Sequence, residues 1–175
     1  VALGRAVQVT NTVDGAFAIN GRGGFALTSD QLGTELLVGV VDLATATVLD
    51  DPLADANTFD PGAGGTSPAP TDVFAYLSTL PGMEIGEPVD TTFAGHPASM
   101  ATWKVGTFEG GHPCFGSDRG NCVLTFFLPA GWLSTYWSGD AGTTYVLDID
   151  GQVIVVEVQD RPGAKEIAES IVIGD

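Results

Sequence analysis

Basic side chains are scarce in this sequence. Six lysines and arginines stand against 22 aspartates and glutamates in 175 residues, a formal net charge of −16 at pH 7. Charged residues make up only 16% of the chain, against a usual share of roughly 25%, so the imbalance reflects missing cations rather than an acidic tail. Phosphate recognition needs a surface rich in lysine and arginine, which excludes nucleic acid as a partner. Anionic membrane surfaces repel such a chain as well. Long apolar runs are also missing: stretches such as Leu36 to Val41 are broken by Gly39 and fall far short of the roughly 20 residues of a membrane helix. No secretory leader is visible and the chain opens on Val1. The expectation is a processed N-terminus, with any targeting segment or anchor upstream and no direct membrane span in the chain itself.

Signatures of catalysis and of cofactor binding are missing too. There is no Gly-x-Ser-x-Gly elbow, no His-Glu-x-x-His helix and no phosphate-cradling Gly-Lys-Ser/Thr loop. Gly21-Arg22-Gly23-Gly24 reads as a turn, and no cofactor is expected. Histidine and cysteine number two each. Cys114 and Cys122 sit close together in a polar loop with His112. They offer too few ligands for zinc and the wrong spacing for a redox motif. A disulfide closing a small loop is the simplest reading, with two free thiols as the alternative, and it favours an oxidising, extracytoplasmic compartment. A thiol enzyme built on His112 and Cys114 lacks an orienting third group and an oxyanion hole. His96 lies in a turn-like Ala-Gly-His-Pro-Ala, where a lone histidine is structural or solvated. Asp50, Asp51, Asp55, Asn57 and Asp60 have the chemistry of calcium ligands. They lack EF-hand spacing and read as a solvated loop, so no metal is expected.

What the sequence does contain is 24 glycines and 44% hydrophobic residues, the composition of many short strands joined by tight turns in a globular chain. Two hairpins are expected. One turns at 13–15 between 7–10 and 16–19; the other turns at Asp150-Gly151 between 144–149 and 152–158, where Asp-Gly suits a type I′ turn. A two-residue loop in the second pairs Ile149 with Gln152, Leu147 with Ile154 and Tyr145 with Val156 on a core-facing side. The opposite face, with Val146, Val153 and Val155 beside Asp148, Thr144 and Glu157, is mixed, which suggests a strand pair near the middle of a sheet. Further strands are expected at 25–28, 36–41, 45–49, 84–93, 98–105 and 122–128, the fourth interrupted by Pro88. One helix follows Thr71 as cap, with Val73, Phe74, Leu77 and Leu80 on one stripe and Pro81-Gly82 as stop. A second spans about 163–170 with Ala164, Ile167, Ala168 and Ile171 on one side. The fold expected is therefore α+β: mainly antiparallel sheet built from hairpins, with two helices packed on it. It forms one domain over 1–175, with a Gly/Pro-rich surface loop near 61–70.

Ala69-Pro-Thr-Asp-Val-Phe-Ala-Tyr-Leu, then Leu80-Pro-Gly-Met-Glu-Ile, Phe93-Ala-Gly-His-Pro-Ala, the two cysteines before a strand, Tyr145-Val-Leu-Asp-Ile-Asp-Gly and Ala164-Lys-Glu-Ile-Ala-Glu-Ser-Ile follow one another over 69–173. This order resembles a family of extracytoplasmic domains of high-GC Gram-positive bacteria, often lipoproteins or ectodomains, with a fold related to Mog1 and the photosystem protein PsbP. The resemblance implies an antiparallel sheet covered by helices and a binding or accessory role without a shared catalytic set. The first 60 residues carry extra hairpins.

Trp132, Tyr136 and Trp137 fall within six residues. Aromatics gathered in a loop stack on sugar rings or anchor a partner, and they equally plug the end of a sheet. The reading is a non-catalytic binding, sensor or accessory module, with these three residues contacting a small molecule, glycan or protein. The alternative is an enzyme acting on a small molecule or glycan, with Asp118, Asp140 or Asp148 as acid or base.

Overall fold

The computed structural model describes residues 7–8, 16–21, 24–29, 35–55, 58, 65–114, 119–127 and 133–174. Its centre is the hairpin of β12 (Ala141–Ile149) and β13 (Gln152–Gln159). Asp150 and Gly151 both take positive φ, 54° and 83°, as a type I′ turn requires, and the Gly151 amide donates to Asp148 Oδ1 at 2.8 Å. The register follows: Ile149 opposes Gln152, Leu147 opposes Ile154, and Tyr145 opposes Val156. Leu147, Ile154 and Val156 are fully buried.

This pair lies inside an eight-stranded antiparallel sheet. On the β13 side come β4 (Glu35–Asp42), β3 (Gly24–Ser29) and β2 (Ala16–Gly21). On the β12 side comes β9 (His96–Val105), which pairs with both β7 (Met83–Ile85) and β8 (Val89–Phe93). Pro88 divides the last two, since proline has no amide to give the ladder. β8 reaches β9 through a two-residue turn at Ala94 and Gly95, both at positive φ.

Both faces of the central strands are covered, as the valine-rich second face of the hairpin suggested. On one face, Leu37, Val38, Val40, Leu147, Ile154 and Val156 pack under α2 (Ala164–Glu169), which inserts Ala164, Ile167 and Ala168. On the other, Val41, Trp103, Val105 and Val155 pack against Val48, Val123, Phe126 and Tyr136. Those last four belong to a four-stranded sheet ordered β11 (Leu133–Trp137), β10 (Cys122–Phe127), β5 (Thr47–Leu49) and β6 (Thr66–Pro68). α1 (Val73–Ser78) closes this second core with Val73 and Leu77. The N-cap of α1 is Asp72 rather than Thr71, its Oδ1 accepting from the Ala75 amide at 3.0 Å. A three-residue strand, β6, crosses the Gly/Pro-rich segment near 61–70.

The first expected hairpin is corrected. Its turn residues lie outside the described residues, but the strand before them, β1 (Val7–Gln8), pairs with β14 (Val172–Ile173), Val7 opposite Ile173. β2 instead pairs with β3, Gly21 opposite Gly24. A local turn signal is not enough to fix a partner when a second glycine-rich segment follows the same strand.

Candidate functional site

The aromatic segment does not make one surface. Its residues form β11, and the twofold alternation of a strand buries Ser134 and Tyr136 while leaving Thr135 and Trp137 partly exposed. Tyr136 is 0% exposed and meets Trp103 edge-on, ring centroids 4.7 Å apart. Trp137 is half-buried beside the disulfide, with the Arg119 guanidinium 4.5 Å from its ring. Trp132 lies outside the described residues. The expected three-residue contact surface is corrected for Tyr136, which belongs to the core.

Cys114 and Cys122 are bridged, their Cα atoms 5.9 Å apart, and both are buried with Leu49 and Leu124. From the loop they close, Arg119 reaches Asp140, whose side chain is 1% exposed. Arg161 meets the same Oδ1 at 2.6 Å, and the Trp137 amide donates to Oδ2 at 2.9 Å. Asp140 is therefore a buried tie between three chain segments, without the access a general acid needs. Asp148 caps the 150–151 turn, and Asp118 lies outside the described residues. In the aspartate-rich loop, Asp50 accepts from Ser67 and Asp51 from the Leu53 amide, while Asn57 and Asp60 lie outside the described residues. Among the described residues, no three His, Cys, Asp or Glu side chains gather to hold a metal. No helix there is long and apolar enough to cross a membrane.

Two features escape the sequence reading. The first is Glu157, fully buried on the second face of β13. Tyr136 donates its hydroxyl to Oε1 and Ser134 donates to Oε2 at 2.8 Å. Burial lifts the carboxyl above its ordinary range, with the Tyr136 and Ser134 hydrogen bonds opposing. Burial and then the charge of Glu157 lift the Tyr136 phenol. The register had placed Glu157 opposite Thr144; a glutamate flanked by valines in a strand covered on both sides was the available signal.

The second is a cleft of about 760 Å³ on the first face, within the range of about 300–1,000 Å³ of small-molecule sites. It lies beside α2, which at six residues packs chiefly over β13 and β4. Beside it, the row Thr102–Thr143–Val158 across β9, β12 and β13 floors an open trough. Lys165 and Glu169 of α2, an ion pair at 3.8 Å, form one wall. Thr91 and Phe93 of β8 form the other. Tyr145 stands in the floor with its ring 4.6 Å from that of Phe93. Partial burial, and then the nearby Glu169 carboxylate, raise its phenol above the ordinary value. Hydroxyls, an aromatic pair and one ion pair suit recognition. Asp160 adds a second carboxylate to that lining.

Comparison with protein-family models, with curated proteins and with solved structures finds no match to this chain.

Proposed function

We propose that this chain is an extracytoplasmic binding, sensor or accessory module without a catalytic centre, and that its ligand occupies the cleft beside α2. The observation that carries this reading is the cleft itself: it offers hydroxyls, an aromatic pair and the charged side chains of Asp160, Lys165 and Glu169 together, a lining suited to holding a polar ligand. The Cys114–Cys122 disulfide supports the compartment. So does the resemblance to the Mog1/PsbP-related extracytoplasmic domains. The acid with the perturbed titration, Glu157, is sealed between the sheets and does not line the cleft.

A ligand thermal-shift screen tests it, run on the wild type and on Thr143→Arg, which fills the partly exposed floor of the trough. A ligand at one hundred times its Kd stabilises by about 2.7 kcal/mol, about 5–11 °C for a chain of this size. The expected result is a shift in the wild type that is lost in Thr143→Arg at unchanged basal Tm. Shifts that survive Thr143→Arg place the ligand elsewhere and overturn the assignment of the cleft. Turnover of any screened compound overturns the non-catalytic reading.

A further inference from the structure

Three polar side-chain atoms in the core between the two large sheets have no hydrogen-bond partner: Tyr76 Oη, Trp103 Nε1 and Thr144 Oγ1. Buried polar groups are paired in the great majority of cases, and each exception asks for an occupant or a reason. Two of them lie beside one group, Glu157, and the third reaches the same core from α1. Thr144 stands directly opposite Glu157 in the β12–β13 register and is 0% exposed; side chains so paired have Cβ atoms about 4.5–5.5 Å apart. Trp103 opposes Gly142, the next position along the same face of β12. A Cβ on Gly142 would fall 2.6 Å from Trp103 Cζ2 and 3.0 Å from Cε2. The indole therefore lies across β12 toward β13, and Nε1 is bonded to Cε2. Tyr76 descends from α1 onto Phe126, ring centroids 5.8 Å apart, and its phenol is raised by burial and then by the charge of Glu157.

We infer that the space around Glu157 is an internal hydration site, where ordered water joins Thr144, Trp103 and Tyr76 to the carboxyl group. The donor and acceptor inventory selects water. An indole N–H only donates, so the occupant must accept. Each Glu157 oxygen takes one hydroxyl hydrogen and keeps a further lone pair, so the occupant must also donate. Thr144 and Tyr76 serve either role. A metal cation has no lone pair for the Trp103 N–H, and an anion is repelled by Glu157. Water meets all four demands and typically makes about three hydrogen bonds when buried. It links α1 to strands β9, β12 and β13 through Tyr76, tying the lid of the second core to its floor.

A crystal structure of the intact chain, grown with Mn²⁺ present and at a resolution that orders solvent, tests this directly. Expected is solvent density about 2.7–3.2 Å from Trp103 Nε1 and from at least one of Thr144 Oγ1, Tyr76 Oη and Glu157. In solution, the Trp103 indole proton, assigned by triple-resonance spectra of the wild type, should show a direct water cross-relaxation peak while exchanging slowly. A dry site with neither density nor cross-peak overturns the inference. So does an anomalous scatterer with contacts of about 2.0–2.6 Å, which would make the site a cation site.

Discussion

Replacing Glu157 with glutamine separates charge from shape at the point where the two sheets meet. The folded carboxyl sits above its ordinary value of 4.5 because burial outweighs the hydrogen bonds from Tyr136 and Ser134. Between that ordinary value and the raised folded value, the folded state binds more protons than the unfolded state. Stability therefore falls as pH rises through this window, with a slope approaching about 1.4 kcal/mol per pH unit for one group. The contribution is fully present below the unfolded value and lost once pH has passed the folded one. Glutamine keeps an acceptor for Tyr136 and an amide for Ser134, and it does not titrate. The other carboxylates act alike in both proteins, so the difference between them isolates Glu157. The assay is urea unfolding of wild type and Glu157→Gln at intervals from pH 4 to pH 9. Expected is a wild type that loses ground to the variant with rising pH until the difference levels off. Parallel curves, or a wild type gaining on the variant with rising pH, would refute the argument. Glu157→Ala behaves differently: it strands two buried hydroxyls at about 1–3 kcal/mol each and is destabilising at every pH.

Leu147→Ala should cost about 2–5 kcal/mol, since Leu147 is fully buried in the first core; a denaturant midpoint close to wild type would refute the hairpin register. Replacing Cys114 and Cys122 together by serine should cost roughly 2–3 kcal/mol in the chain-entropy model. Intact-mass analysis of the untreated wild type should show no thiol to alkylate, and two labelled cysteines would refute the bridge. Gly142→Ala should cost at least about 1–3 kcal/mol, because its Cβ would collide with the Val158 carbonyl oxygen, which the sheet holds in place. A Tm equal to wild type would show that Trp103 and the backbone give way.

The parts of the fold that were legible are those that short spacings dictate. The β12–β13 register follows from one Asp-Gly pair, the break at 86–88 from one proline, and the place of α1, though not its ends, from its apolar stripe before Pro81. The parts that were not legible depend on partners far away in the chain. The pairing of β1 with β14 and of β10 with β5 leaves no local trace. β11 was hidden because glycine and serine flank its short aromatic run, which then resembled a loop. Tyr136 changes meaning once Glu157, 21 residues later, faces it. Alternation showed which face Glu157 occupies; only the arrival of a second sheet over that face makes it a buried acid. The cleft was invisible for a related reason: it lies beside α2 on the sheet beneath, and neither element shows it until the two are stacked.

Among the described residues, every lysine and arginine is engaged by a carboxylate: Lys104 by Glu84, Lys165 by Glu169, and both Arg119 and Arg161 by the single Asp140. The last grouping withdraws two of the few cations largely into the interior, so the outer field of the molecule is negative from most directions of approach. Two copies should then repel in almost any mutual orientation at low ionic strength and attract only weakly when salt screens them. Near the isoelectric point of about 4.1 that protection disappears, and colloidal clustering should set in even where the fold persists. The same field will draw polyamines and basic proteins to the surface without any site. Binding experiments on this chain therefore need a salt titration, in which a cleft ligand is retained and a diffuse counterion is shed.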